Sequence, residues 1–281
     1  MSVLTESALQ TRFRELIHRE IGIRMPDTKE NLIASRLRRR LLEGQFRDLQ
    51  SYFLHLFEGG GLEEEWPHIV DLITTNKTDF FRENAHFEYL ANRIVPEALG
   101  RARPGTPVRF RLWSAAASTG AEAYTAAMIL AEARLNNPLL DWMILGTDIS
   151  EGVLAHARKA IYPEKDVAPV PADLRSRYLM TGRGRASERQ VRIVPELRRR
   201  VRFACLNLIE PPYPTSRALD VIFLRNVLIY FDDVQKERII ASIVGHLRPG
   251  GHLFVGHSES MVVVDARLDQ IAPAAFRRKD Q

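Results

Sequence analysis

The residues that could do chemistry sit where short apolar runs stop. Ser114, Asp148, Asn207 and the pair Arg225–Asn226 each follow such a run. In a parallel sheet those ends share one rim, where ligands bind. Asp148 closes ILGTD, one strand–turn–helix unit beyond the small-residue run SAAASTG (114–120). A carboxylate there accepts both hydroxyls of a ribose. It also suits a helix cap, although Ser150 already offers one. Gly120 lets the backbone turn left-handed or approach closely, and Glu122 follows on the next helix. The run is not a GxGxxG, and turns of this kind also occur in units that bind nothing. Arg82 lies beside Phe80, Phe81 and Phe87. A guanidinium lifted out of such an aromatic cluster suits an anion or a carboxylate.

These residues need an α/β framework. Val108–Trp113 is bounded by the breaker run RARPGTP and reads as a strand, and Ala121–Leu135 as a helix. Trp142–Leu145, Val201–Leu206, Asp220–Leu224 and HLFVGHSE are further strands. Helices are expected over Ser150–Ala160 and from Asp232 or Asp233 to Leu247, the latter closed by RPGG, and the tail supplies a final antiparallel strand. Residues 1–75 read as helical. Leu9, Phe13, Leu16 and Ile17 share one face, Leu32–Leu42 turns Ile33, Leu37 and Leu41 inward, Leu49–Phe57 is short, and the last helix runs from Pro67 to Thr75. Asn76 or Thr78 is expected to cap a helix beginning at Asp79, with a helix Phe87–Ala98 beyond it. Arg36, Arg38, Arg39 and Arg40 fall outward or flanking, either a solvated face or a docking surface for an acidic partner.

The chain has 281 residues, 45% apolar and 27% charged, with a formal charge of +5, enough for one large core or two modest ones. The single Cys205 rules out a disulfide framework and a thiolate metal site, and reads as a small buried side chain. With no apolar run of membrane-spanning length and no leader pattern, the expectation is a cytoplasmic protein. His252 and His257 flank a strand with no partners at ligand spacing, so no metal is expected. Residues 161–202 break the α/β rhythm and read as an insertion of antiparallel strands. Between Arg175 and Arg202 stand ten arginines against two glutamates, a net of +8. That density fits nucleic acid or an acidic peptide equally well.

Taken together, NKTDFFRENAHF, RLWSAAASTGAEAYTAAM, ILGTDIS, CLNL, DVIFLRNVLIYF and LRPGGHLFVGHSES resemble, in order and over almost the full length, the CheR-type chemotaxis protein-glutamate O-methyltransferases. The resemblance implies a Rossmann-like class I methyltransferase sheet (91–281) with a small antiparallel β-subdomain inserted at about 161–202. It also implies an all-helical N-terminal domain (1–90) that includes the NKTDFFR segment. The implied reaction is methyl transfer from S-adenosylmethionine to receptor glutamates, without metal, giving methyl esters and S-adenosylhomocysteine. By motif, Asn76, Thr78, Arg82, Gly120, Glu122, Asp148, Asn207, Leu208, Arg225 and Asn226 would hold the cofactor. Arg82 and Tyr230 would orient the acceptor. Arg36, Arg38, Arg39 and Arg40 would face the receptor's methylation helices, and Gly182, Arg183, Gly184 and Arg185 would take a receptor C-terminal peptide. The implied protein is a cytoplasmic monomer recruited to receptor arrays, with no nucleic-acid partner. Ala117 and Ala121 depart from the family's usual Cys and Glu. A base-methylating alternative rests on Glu210-Pro211-Pro212-Tyr213, and a cofactor-binding regulator without activity rests on the two alanines.

Overall fold

A computed structural model of the chain describes residues 5–25, 30–182 and 189–280. Four helices come first: α1 (Glu6–Ile21), α2 (Glu30–Glu43), α3 (Leu49–Phe57) and α4 (Leu62–Ile73). Thr5 caps α1 by accepting from the Ala8 amide, and Gly22 ends it at φ 76°, a left-handed turn that glycine makes without strain. α4 starts at Leu62, not at Pro67. Glu63, Glu64 and Glu65 complement the helix dipole in its first turn, while Pro67 sits inside the helix at the loss of one backbone hydrogen bond. Leu9, Phe13, Ile17, Ile33, Leu37, Tyr52, Phe53 and Ile69 close a helical core of their own.

The helix expected from Asp79 is instead a run of turns. Phe81 and Glu83 hold φ near 55°, which no right-handed helix accommodates. α5 (Ala85–Tyr89) then passes through a π-helical stretch (Leu90–Ile94) into α6 (Val95–Gly100). Phe80, Phe87, Leu90 and Ile94 pack into the core of the sheet, whereas the helical core ends at Ile73. A division at residue 90 therefore cuts through the second core.

Two βα units follow, β1 (Val108–Ala115) with α7 (Ala121–Asn136) and β2 (Leu140–Asp148) with α8 (Glu151–Lys159). The insertion forms an antiparallel sheet of β3 (Ile161–Pro163), β4 (Leu179–Thr181) and β5 (Gln190–Ile193) in the order β3-β5-β4, with the short helices α9 (Ala172–Tyr178) and α10 (Pro195–Arg198) beside it. The main sheet resumes with β6 (Val201–Cys205), β7 (Leu219–Leu224), α11 (Asp233–His246) and β8 (Leu247–Val255). RPGG lies inside β8 and does not close α11. HSES turns into a 3₁₀ helix (His257–Val262), and the tail supplies two strands, β9 (Leu268–Ala272) and β10 (Ala275–Arg278).

The seven strands run β6-β2-β1-β7-β8-β10-β9, parallel except at β10 and β9. The chain winds outward from β1 to β6, then returns to β7 on the other side of β1. A crevice opens at that reversal, at the carboxyl ends of β1 and β7. Alternate residues face two cores: Leu112 and Phe223 join Phe87 and Met128, while Trp113 and Ile222 join Ile239 and Ile243 of α11. Every residue of β7 is buried, as befits a strand covered on both faces.

The helical domain is tied to the sheet near the crevice. Ser150 Oγ and the Gly152 amide donate to Asp71, the Arg24 amide donates to the Tyr230 carbonyl, and Asn207 Nδ2 donates to the Glu20 carbonyl at 2.7 Å. Among the described residues, no helix is long and apolar enough to cross a membrane.

Candidate active site

The turn after β1 is built under strain. Ala116 and Ser118 take φ of 68° and 51°, values that non-glycine residues adopt at a cost of order 1 kcal/mol each. That geometry aims the Ser118 amide at Asp148 Oδ2 (2.9 Å), while the Ser150 amide donates to Oδ1 at 3.1 Å. Burial pushes the Asp148 carboxyl above its ordinary range, and the amides of Ser150, Ser118 and Ile149 pull it back. Ser118 Oγ donates to the Asn76 carbonyl at 2.9 Å and ties the turn to the 74–79 loop.

Behind the turn, the buried Arg225 joins three elements. It donates to Glu122 Oε2 at 2.9 Å, to Glu83 Oε2 at 3.1 Å and to the Arg82 carbonyl, and its guanidinium lies 5.5 Å and 5.8 Å from the ring centres of Phe87 and Phe223. Ser114 Oγ donates to Glu122 Oε1 at 2.6 Å. Two carboxylates thus share one guanidinium. Burial raises the Glu122 pKa, a cost that Arg225 and Ser114 only partly offset. Burial also works against ionised Glu83, but Arg225, Asn226 and His257 together outweigh it and hold its pKa below the usual carboxylate range.

Glu259 fixes the next stretch. Only 1% exposed, it accepts from the amides of Asn226, Leu228 and Gly256, each at 2.7 Å, and from that of Ile229 at 3.4 Å. The turn that carries Asn226 (φ 58°) and Tyr230 is thereby held by one carboxylate from the HSES segment.

These parts enclose a cleft of about 910 Å³ including its open mouth. It is lined by Asn76, Thr78, Arg82, Glu122, Asp148, Asn207, Leu208, Arg225, Asn226 and Tyr230, with Ile21 and Ile23 of the helical domain at one side. Arg82 donates to the Lys77 carbonyl at 3.1 Å, and no ion pair involves it among the described residues. The size fits a nucleoside-sized ligand.

Two family models match the chain: the all-alpha domain of CheR methyltransferases over residues 11–74, and their SAM-binding domain over residues 76–275. The chain belongs to the CheR methyltransferase family. Its relatives include a chemotaxis protein methyltransferase 2 of Pseudomonas aeruginosa, 40% identical over 89% of this chain and 85% of that one. The chemotaxis protein methyltransferase of Escherichia coli is 38% identical over 92% and 86%, and that of Borreliella burgdorferi 33% over 95% and 93%. This CheR methyltransferase is accordingly an S-adenosylmethionine-dependent enzyme. The cleft fits that molecule: Asp148 lines it with a carboxylate able to accept from hydroxyls, and the surplus carboxylate around Arg225 suits a sulfonium cation.

The structure gathers every expected cofactor residue except Gly120. That glycine has φ 88° and faces the packing side of α7, where a Cβ would come within 2.9 Å of Ala157 Cβ and 3.1 Å of Phe203 Cζ. Helix packing requires it, and it does not line the cleft. Arg36 is turned inward: it donates to the carbonyls of Leu72, Ile73 and Thr74 and to Thr75 Oγ1, closing the end of α4. Arg40 forms a bidentate pair with the buried Glu65, which also accepts from Tyr52. Arg38 and Arg39 remain exposed, Arg39 paired with Glu43. In the insertion, the Gly182 amide donates to the Gln190 carbonyl, while Arg183, Gly184 and Arg185 lie outside the described residues.

Cys205 is exposed, not buried, because it ends edge strand β6. Tyr213 is buried, donates to the Leu208 carbonyl and packs edge-on to Trp113, so Glu210–Tyr213 presents no platform for a base. Ala117 and Ala121 are both buried away from the cleft lining, and nothing in the structure explains either choice further. Sequence reasoning missed Glu83, Ser118 and Glu259. The GHSES segment was a signal for the last, but its partners Asn226, Leu228 and Ile229 lie thirty residues or more away in sequence.

Proposed function

We propose that this CheR methyltransferase methylates side-chain carboxylates of glutamates in chemoreceptor proteins, giving glutamyl methyl esters. The observation that carries the reading is the pairing of an over-carboxylated floor with Arg82, a cation free of ion pairs among the described residues, at the same cleft. The floor suits a cationic donor and Arg82 suits an anionic acceptor. S-adenosylmethionine, when bound, supplies an electrophilic methyl group on sulfur. Asp148 would hold its ribose, Asn207 and Leu208 would border the adenine, and Glu122, Arg225 and Asn226 would face the methionine end, with Asn76 and Thr78 along the near wall.

The acceptor carboxylate is already anionic at neutral pH, so no general base is needed. Rate then comes from alignment and from drying the cleft. Arg82 positions the acceptor carboxylate. Too tight a pair would stabilise the ground state against attack, so Tyr230 shares the contact through its hydroxyl and closes the pocket. Arg38 and Arg39 are the exposed arginines of α2 that would meet acidic methylation helices. In the insertion, β4 is an edge strand whose outer side is open among the described residues, and a receptor C-terminal peptide would add to it as a further strand.

The test uses radiolabelled S-adenosylmethionine with a receptor cytoplasmic fragment. Label released as methanol by mild base is the expected result. Base-stable label, or none, would refute the assignment. Arg82→Ala and Tyr230→Phe should each slow the reaction, and wild-type rates in both would remove their assigned roles.

A further inference from the structure

Sequence spacing left His257 without partners, yet the fold supplies two. Glu83 on the strained turn before α5, His86 in the first turn of α5 and His257 after β8 converge, one ligand atom of each lying within 4.8 Å of the others. His257 Nδ1 is 3.1 Å from Glu83 Oε2, and His86 Nδ1 is 3.7 Å from the same oxygen. The two imidazoles lie 5.2 Å apart, 13° from parallel. His86 is only 3% exposed, and neither of its ring nitrogens makes a well-formed hydrogen bond among the described residues, although the Pro273 carbonyl faces the ring and Glu83 Oε2 approaches Nδ1. A buried imidazole partnered this weakly is costly unless something uses it.

Two imidazoles and one carboxylate are the donor set of zinc-type ions, not of magnesium or calcium, which take oxygen ligands. An ion at the centre of the three requires each ligand to close by less than about 1 Å to reach bonds of about 2.0–2.2 Å. His257 can make that movement, because its side chain is 52% exposed. The same opening gives the ion an entry path and a water in its fourth position.

The cluster also touches the cleft. Glu83 is the carboxylate that pairs with Arg225 and accepts from Asn226 Nδ2 at 3.3 Å. A metal on Glu83 competes directly with both. Arg225 would keep Glu122 but lose its second carboxylate, and Asn226 would lose a side-chain anchor. The positive Arg225 nearby sets the affinity well below that of a closed structural zinc site.

We propose that Glu83, His86 and His257 form an inhibitory site for a zinc-class divalent ion, whose binding draws Glu83 off Arg225 and Asn226 and weakens the hold on S-adenosylmethionine. The proposal concerns the cofactor half of the cleft and is independent of which acceptor is methylated.

The test is calorimetric titration of the full-length, tag-free, chelator-treated protein with zinc chloride, alongside the visible absorption of added cobalt(II). One equivalent should bind with tetrahedral cobalt bands, and bound zinc should weaken S-adenosylmethionine binding at least about tenfold. His257→Ala, at a half-exposed position, should lose at least about tenfold in zinc affinity while its S-adenosylmethionine affinity in chelator stays at the wild-type value. His68→Ala, on the exposed face of α4, should behave as wild type. Absence of stoichiometric uptake, or undiminished uptake by His257→Ala, would overturn the site. Uptake without any change in S-adenosylmethionine affinity would overturn its inhibitory role.

Discussion

Arg40 and Arg225 both meet carboxylates held largely out of water, and the difference between them separates scaffold from site. Arg40 in the helical domain faces one acceptor, Glu65, held on its other side by Tyr52. Charges cancel and every partner is satisfied. Arg225 at the cleft faces two, Glu83 and Glu122, and its own Nε has no hydrogen-bond partner among the described residues. The first cluster is complete without a ligand. The second holds one carboxylate more than its guanidinium can neutralise, beside a cleft, and a proton on Glu122 or a bound cation offsets that charge.

Arg225→Ala should break the contrast most severely. It leaves Glu122 with Ser114 alone and Glu83 with only Asn226 and His257, and should cost about 3–5 kcal/mol, read as a lowered Tm and as loss of the S-adenosylmethionine binding heat. Glu65→Ala comes next, at about 2–3 kcal/mol, since it strands Arg40 and the Tyr52 hydroxyl. Its folded fraction should still bind S-adenosylmethionine normally, and an equal loss of binding would erase the distinction between the clusters. Hydrogen bonding to Arg40 lowers the Glu65 pKa, with Tyr52 adding to it against the opposing cost of burial. Its contribution to stability is therefore full above the unfolded carboxylate's pKa and disappears as pH falls through the lower folded value. Chemical denaturation across that acid window should show a shallower slope for Glu65→Gln.

Glu122→Gln tests the opposite shift. Burial raises this carboxyl, and a cationic ligand favours its ionised form. Wild-type affinity for S-adenosylmethionine should rise as pH climbs from the ordinary carboxylate range through the raised Glu122 pKa. The glutamine variant should lose that part of the rise and bind roughly tenfold more weakly at neutral pH. The smallest effect on the fold belongs to Arg38→Glu with Arg39→Glu, within about 0.5 kcal/mol by thermal melts. These changes should slow methylation of a receptor fragment, most at low salt, with S-adenosylmethionine affinity untouched.

Much of the cleft was legible because strands announce their own ends. Val108–Trp113 and Asp220–Leu224 are apolar runs that stop where the chain turns polar, and parallel topology gathers those stops on one rim. Asp148 and Arg225–Asn226 were found in that way. Gly120 was misread because a positive φ looks the same from sequence whether the glycine faces a ligand or, as here, the packed side of a helix. Glu83 was passed over because nothing in its local spacing set it apart. Its actual partners, Arg225 and His257, come from other elements.

The amino-acid order by itself determined the helical start, the α/β rhythm, the insertion and the polar residues at the strand ends. Those depend on period and on local turn chemistry, which act over a few residues. Only the tertiary structure decided that Arg36 and Arg40 serve the fold while Arg225 serves the cleft, that Glu259 holds the Tyr230 turn, and that His86 and His257 share Glu83. Periodicity says which face of an element is buried. It does not say which distant side chain will be waiting there, and that pairing sets the charge.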